Sequence, residues 1–295
     1  MLQLRGRALT AAMILGVLGV STSGVLIRLA DAPVLALAFW RCFGGAAALA
    51  PFAWRSGVTG RGRRGQLVAS GVMLAVHFAL YIGAVGLTTV ASAVLLATMA
   101  PLFVGLGAAL LLREPPRWQA WAGMAVATAG ALVIGIGDVG GLADGGRALL
   151  GDAMAFGAAI MVAGYLLIGR VARRTLPVSV YATWVYGAAA AALLAACLAT
   201  GSSLGGYTTG TWLAILGLIV GPQLLGHTIF NQLLSAVPPA TVAVVALAEP
   251  VGAGVLAWLV LGELPPPVFA LGAPLVLLGV GVATLQEREP EPSPT

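Results

Sequence analysis

The sequence predicts an all-α integral membrane protein with ten transmembrane helices in two inverted five-helix repeats. Of its 295 residues, 60% are hydrophobic and only 8% are charged, whereas a soluble domain usually carries about 25% charged residues. The apolar residues form runs long enough to cross a hydrocarbon layer about 30 Å thick. A segment containing two of these runs also recurs late in the chain in the same register.

Ten apolar runs are separated by charged or turn-forming residues, and each is long enough to be a transmembrane helix. They cover residues 8–28, 34–54, 66–86, 88–112, 118–136, 149–169, 178–199, 211–235, 239–262 and 267–285. Several links are short, so we expect neighbouring helices to form antiparallel hairpins. The link near residues 86–89 contains no charge, and its position depends on length and on the repeat.

The arginines support an even number of spans. If the N-terminus is cytoplasmic and the spans alternate, only Arg28 and Arg147 fall in external links, and Arg41 falls inside a span. The cytoplasmic arginines are Arg5, Arg7, Arg55, Arg61, Arg63, Arg64, Arg113, Arg117, Arg170, Arg173, Arg174 and Arg288. Because cytoplasmic loops are enriched in basic residues, we expect a multi-pass protein of the inner cell membrane with both termini in the cytoplasm.

The charge and the cysteines indicate neither a nucleic-acid partner nor a metal. The net charge is +5, but the basic residues separate apolar runs and form no polar face. Cys42 and Cys197 each lie inside an apolar run, where a cysteine is usually a small buried residue. The glycine pattern at residues 135–140 ends an apolar helix and follows no strand, which excludes a dinucleotide-binding turn. We expect no cofactor, no metal and no nucleic acid.

An internal repeat organises the chain. Residues 91–130 align with residues 240–279 at a constant offset of 149 without a gap. The identical pairs include Ala91/Ala240, Pro101/Pro250, Gly105/Gly254, Leu112/Leu261, Glu114/Glu263, Pro116/Pro265, Gly123/Gly272 and Gly130/Gly279. Five spans per half is an odd number, so the second half must cross the membrane in the opposite direction. Glu114 is then expected at the cytoplasmic face and Glu263 at the external face.

The repeat also predicts the domain organisation. Residues 1–137 form the first five-helix repeat, 138–148 an extracytoplasmic linker and 149–286 the second repeat. Residues 287–295, rich in glutamate and proline, are expected to be a disordered cytoplasmic tail.

Local motifs support a family resemblance. The fourth span of each half contains a proline and ends in a glutamate before a short turn, the second span begins with Phe39-Trp40-Arg41, and the ninth contains Leu247-Ala248-Glu249-Pro250-Val251. In these features the chain resembles the EamA-type drug/metabolite transporter superfamily over about residues 8–285. The resemblance implies a ten-helix exporter or importer of amino acids, other metabolites or drugs, with a central cavity between the halves. The first span departs from the family pattern, with Thr22-Ser23-Gly24 where a Trp-Gly pair is often found.

Two charged residues lie deep inside predicted spans, where a charge costs about 2.5–3.5 kcal/mol. Glu249 lies about 15 Å into its span, and we interpret it as a proton-coupling carboxylate or as the anchor of a substrate ammonium group. The alternative is a structural glutamate that pairs with a neighbouring helix or caps a broken one. Arg41 lies about 10 Å deep, and its planar donor group suits a substrate carboxylate. Alternatively, Arg41 pairs permanently with Glu249 or extends to the outer interface.

Two histidines occupy related positions in the two halves. His77 in the third span aligns with His227 in the eighth after a slip of one residue. Such a pair can line a cavity, where it would hydrogen-bond substrate or relay protons. The alternative is that each ring binds the backbone of a neighbouring helix.

Further candidates are polar, aromatic or helix-breaking residues. Tyr81, Trp40 and Trp184 can form walls of a pocket, and Asn231 follows His227 by one turn; each residue type is also common in helix contacts. Pro101 and Pro250 interrupt corresponding spans, and paired interruptions are the best sequence indication of a transporter's binding site.

Together these features predict a secondary transporter, not an enzyme, that exports a small organic metabolite such as an amino acid by alternating access. Protons are a candidate coupling ion, the lipid bilayer is the other partner, and the protein is expected to be a monomer or a homodimer. The first alternative is multidrug or cation efflux in the same fold, which needs Glu249 and aromatic residues but not Arg41. A membrane-embedded enzyme on a lipid is less favoured, because no Asp-rich or His-rich cluster occurs near an interface.

Overall fold

The computed structural model of this chain describes residues 6–85, 87, 96–136, 145–265 and 267–284, and within these ranges all regular secondary structure is helical. The helices are α1 (Gly6–Leu29), α2 (Val34–Arg55), a 3-10 turn (Gly60–Arg63), α3 (Arg64–Val85), α4 (Ala100–Leu111), α5 (Trp118–Ile136), α6 (Gly145–Arg173), α7 (Val178–Thr200), α8 (Thr209–Leu218), a π-helical segment (Ile219–Thr228), α9 (Ile229–Leu233), α10 (Pro239–Ala246), α11 (Glu249–Leu261) and α12 (Phe269–Thr284).

The helices follow the predicted spans closely. In the part of the chain that the structure describes, seven helical stretches are long and apolar enough to cross a membrane, and α4, α5 and α12 are shorter apolar helices. The fifth span was predicted at 118–136 and coincides with α5, whereas α6 is longer than its predicted range of 149–169. The count of ten spans stays a prediction. The boundary near 86–89, most of the 138–148 linker and the 287–295 tail lie outside the described residues.

Contacts at the two ends of the bundle show that the halves run in opposite directions. Past the end of α1, the Asp31 backbone N–H donates to Thr211 Oγ1 (3.3 Å) at the start of α8. The stretch from α8 to α9 crosses to the other end, where Arg170 near the end of α6 donates to the Leu234 carbonyl (2.7 Å). The first helix of each half therefore ends at a different face.

The last helices of the halves, α5 and α12, pack at glycines that the repeat relates. A Cβ on Gly123 would lie 2.6 Å from the Gly279 carbonyl oxygen, and a Cβ on Gly130 would lie 2.7 Å from that of Gly272. These contacts require backbones that approach without side chains between them, as is common in membrane helix pairs. The α5–α12 pair thus joins the two halves in antiparallel orientation.

Helix interruptions lie at Pro101 and Pro250, and the backbone widens into a π-helix around Pro222. Pro101 lies in the first turn of α4, and Pro250 in the first turn of α11, which two residues separate from the end of α10. Pro222 lies within the ten-residue π-helical segment. Proline removes a backbone donor, and the wider π turn accommodates that loss.

Candidate functional site

Arg41 is buried inside the bundle (6% exposed) and is held by a polar and an aromatic contact. Its Nε donates to Gln223 Oε1 at 3.0 Å. Its guanidinium carbon lies 4.3 Å from the centroid of the Phe78 ring, a cation–π distance. Within the described part of the chain, the terminal Nη groups make no hydrogen bond and no ion pair. They are therefore the donors that Arg41 has left for a ligand.

Gln223 reaches Arg41 because of the local backbone. It is fully buried in the π-helical segment, and π turns are frequent at functional sites. Gly45 lies one turn beyond Arg41, and a Cβ there would lie 2.7 Å from Gln223 Cγ, so a glycine allows the approach. Among the described residues, Gln223 Nε2 is buried and has no hydrogen-bond partner, which is unfavourable by about 1–3 kcal/mol. Gln223 was not among the site residues predicted from the sequence. The available signal was its position directly after Pro222 inside an apolar span.

Glu249 comes from the other half and begins α11 directly after the helix break. It is half-buried and lies close enough to Arg41 for their opposite charges to attract each other. Its backbone carbonyl accepts a hydrogen bond from Ser21 Oγ on α1 (3.3 Å). Among the described residues its carboxylate has no ion pair within 4.0 Å. The permanent Arg41–Glu249 pair, one of the two alternatives, is therefore not formed here.

The two histidines flank Phe78 on either side. His77 Nδ1 donates to the Ala158 carbonyl (2.9 Å), so this ring makes the backbone contact that was the alternative interpretation. Its ring also stacks on Tyr81 (centroids 6.1 Å apart). The His227 ring meets the edge of Phe78 at 5.6 Å and, among the described residues, makes no hydrogen bond. The structure thus brings both histidines and Tyr81 close to Arg41.

Asn231 lies beside the site, but its side chain is already occupied. Its Oδ1 accepts from the Tyr165 hydroxyl (2.6 Å), and its Nδ2 donates to the Tyr186 hydroxyl (3.1 Å). Asn231 is fully buried. It therefore joins α6 and α7 to α9 and supports the wall of the site.

The rings of Trp40 and Trp184 make their contacts at opposite ends of the bundle. Trp40 Nε1 donates to the Leu204 carbonyl (3.0 Å) in the link before α8. Trp184 lies near the start of α7, with the guanidinium carbon of Arg64 at 5.8 Å from its ring centroid. The structure does not bring either tryptophan to the site.

A small apolar cavity lies between Arg41 and the end of the bundle that is predicted to be external. The cavity there measures about 10 Å³, room for about one water molecule. Besides Arg41, it is lined by Ile27, Val34, Leu37, Ala38, Ile82 and Leu218. Elsewhere in the described residues, no three His, Cys, Asp or Glu side chains are grouped so as to hold a metal ion.

Comparison with known proteins decides the family. The sequence model of the EamA-like transporter family matches residues 8–136 and 149–285. The chain belongs to the EamA-like transporter family. The match confirms the family resemblance and makes the protein a multi-pass membrane transporter, not an enzyme, at the level of the family. Its two matched segments correspond to the two halves that the repeat and the helix directions define.

A solved structure supports the fold of this EamA-like transporter. A crystal structure titled only as that of a protein superposes with a TM-score of 0.80 at 23% sequence identity, covering 95% of this chain and 98% of the matched chain. At that identity the likeness concerns the fold alone. No curated protein is significantly similar in sequence.

Proposed function

We propose that this EamA-like transporter exports a small metabolite that carries both a carboxylate and an ammonium group, such as an amino acid, by alternating access. The observation that supports this most is the relation of Arg41 to Glu249. The two opposite charges come from different halves and interact, yet they form no ion pair with each other. A zwitterion would provide the missing partner for both.

Arg41 is suited to bind the carboxylate. A buried cation without an anion is unfavourable, and bringing in a well-oriented carboxylate offsets that cost. Gln223 occupies Nε and Phe78 covers one face of the guanidinium, so the two Nη groups remain for a bidentate contact. Gln223 and Phe78 thereby set the direction from which a carboxylate approaches.

Glu249 is suited to bind the ammonium group or a proton. It follows a helix break, a feature that marks binding sites in inverted-repeat transporters. When the substrate leaves, a proton can take the place of the ammonium group at the carboxylate. Export of substrate would then be coupled to proton entry, or substrates would exchange.

The test is flux in proteoliposomes with radiolabelled amino acids and, in parallel, a lipophilic organic cation. Arg41→Ala should lower amino-acid flux at least tenfold and leave cation flux within twofold of wild type. The matched control is Arg64→Ala, which removes an arginine far from the site and should leave both fluxes unchanged. Equal amino-acid flux in Arg41→Ala and Arg64→Ala would refute the carboxylate assignment.

Cation efflux is the second candidate, and the aromatic rings around the site favour it. Phe78, Tyr81 and Tyr165 lie around the two histidines. Tyr81 is also near Glu249, and aromatic faces attract cations. A wild-type protein that moves the organic cation but none of the amino acids would support this candidate over the first.

A further inference from the structure

The fourth span of each half presents a glutamate on the same backbone turn. Arg113 has φ = 57° and its repeat equivalent Gly262 has φ = 71°. In both halves the next residue, Glu114 or Glu263, donates its backbone N–H to the carbonyl six positions earlier, at 2.9 Å and 3.3 Å. A left-handed backbone is unfavourable for a residue with a side chain, so the first half keeps this turn despite the arginine.

Each glutamate pairs with an arginine at the end of the other half's first helix. Glu114 Oε2 accepts from Arg170 Nε on α6 (3.0 Å), and its Oε1 accepts from Arg174. Glu263 accepts from Arg28 at the end of α1. The ion pairs of each glutamate therefore join a fourth span to the end of the opposite half's first helix, and the two glutamates lie at opposite ends of the bundle.

We propose that these ion pairs are two repeat-related latches that close the transport path at opposite faces and open alternately. This inference rests on the proposed alternating access. In an inverted repeat, the two halves exchange conformations when access changes sides, so a contact between halves at one face has a counterpart at the other. With both latches formed, the structure is closed at both ends. We call the Glu114 pair the inner latch and the Glu263 pair the outer latch, following the predicted orientation.

The outer latch lies next to the small cavity that Arg41 lines. Ile27, which precedes Arg28, lines that cavity together with Leu37 of α2. The latch holds the end of α1 against the end of α11 and so keeps Ile27 in place. Breaking the latch frees the end of α1, and the cavity can then widen into a path that admits a solute from the external side.

The two latches differ in strength. In the outer latch the side chains of Arg28 and Glu263 are 62% and 49% exposed, whereas Arg170 and Glu114 of the inner latch are 19% and 22% exposed. The inner latch also has a second cation, Arg174. Exposed ion pairs are weakened by water and salt, so the outer latch should open more readily. The empty transporter is therefore expected to face outward more often than inward.

The experiment measures how fast a thiol in the cavity beside the outer latch reacts. Leu37→Cys is introduced with Cys42→Ala and Cys197→Ala, and a membrane-impermeant maleimide is added to the external side of oriented proteoliposomes. Glu263→Gln and Arg28→Gln should each raise the labelling rate at least threefold. Glu114→Gln opens the opposite face and should lower that rate at least threefold.

A charge exchange is the matched control. Arg28→Glu combined with Glu263→Arg restores an ion pair and should return labelling to the rate of the Leu37→Cys protein with the native pair. This control separates loss of the latch from a general loosening of the helix ends. Similar rates in all variants, or a rise with Glu114→Gln equal to that with Glu263→Gln, would overturn the proposal. Labelling requires no substrate, so the result is independent of whether Arg41 and Glu249 bind an amino acid.

Discussion

Replacing Gly279 with alanine should force α5 and α12, the last helices of the two halves, apart. The added Cβ would lie 2.3 Å from the Ala127 backbone nitrogen and 2.6 Å from the Gly123 carbonyl oxygen. Favourable contacts between such atoms begin near 3.5 Å, so the helices must separate by about 1 Å. Both obstructing atoms belong to the backbone, and neither can rotate away as a side chain would.

The size of the effect follows from two opposing contributions. Overpacking of this kind costs about 1–3 kcal/mol. Alanine is better than glycine in a helix by about 0.8–1.0 kcal/mol, so the net destabilisation of Gly279→Ala is about 0–2 kcal/mol. Gly281 lies two residues further along α12, and nothing lies within 4 Å of a Cβ there. Gly281→Ala should keep only the stabilisation that alanine gives a helix. The free energies of unfolding of the two variants should therefore differ by about 1–3 kcal/mol.

The assay is thermal unfolding of the purified protein in detergent, followed by tryptophan fluorescence, with both variants under identical conditions. Gly279→Ala should unfold at a lower temperature than wild type or at the same one, and Gly281→Ala at the same temperature or a higher one. If Gly279→Ala is as stable as Gly281→Ala, the close backbone contact between α5 and α12 is not present.

Three further predictions concern the site. Glu249→Gln should lower pH-gradient-driven flux at least tenfold with unchanged thermal unfolding; flux that still follows the gradient would exclude proton coupling at Glu249. Gln223→Leu removes the acceptor of Arg41 Nε, a hydrogen bond to a charged group worth about 1.5–3 kcal/mol. The KM of amino-acid flux should rise about tenfold or more, while kcat changes little. Asn231→Leu removes the acceptor of the Tyr165 hydroxyl, whereas the Tyr186 hydroxyl keeps its contact with Thr228. It should therefore destabilise the protein by about 1–3 kcal/mol, as measured by thermal unfolding. Unfolding at the wild-type temperature would contradict this.

Much of the fold could be predicted because membrane insertion imposes local rules on sequence. Spans must be apolar and about 20 residues long, and their ends must be polar, so the bounds of α2, α5 and α7 differ by at most one residue from prediction. The repeat then predicted the opposite direction of the halves, since an odd number of crossings inverts the second copy. The π-helical segment was missed, because Ile219–Thr228 has the composition of an ordinary apolar helix.

The candidate site could be predicted only in part. Charged residues inside spans identified Arg41 and Glu249, because such groups are too unfavourable in lipid to occur without a reason. Trp40 and Trp184 were chosen by residue type, which does not reveal where along the bundle a ring lies. Gln223 was passed over because its importance depends on the approach of α2 at Gly45, a distance between segments almost 180 residues apart.

The sequence by itself determined the class, the family and the inversion of the halves, since composition, span length and a 149-residue offset are properties of the chain read along its length. Only the tertiary structure decided which polar groups meet. The unpaired approach of Arg41 to Glu249, the hydrogen bond from Arg41 to Gln223 and the two ion pairs at opposite ends all join residues from different halves. Such contacts depend on how helices rotate and cross when they pack, and apolar periodicity within one helix does not specify that rotation.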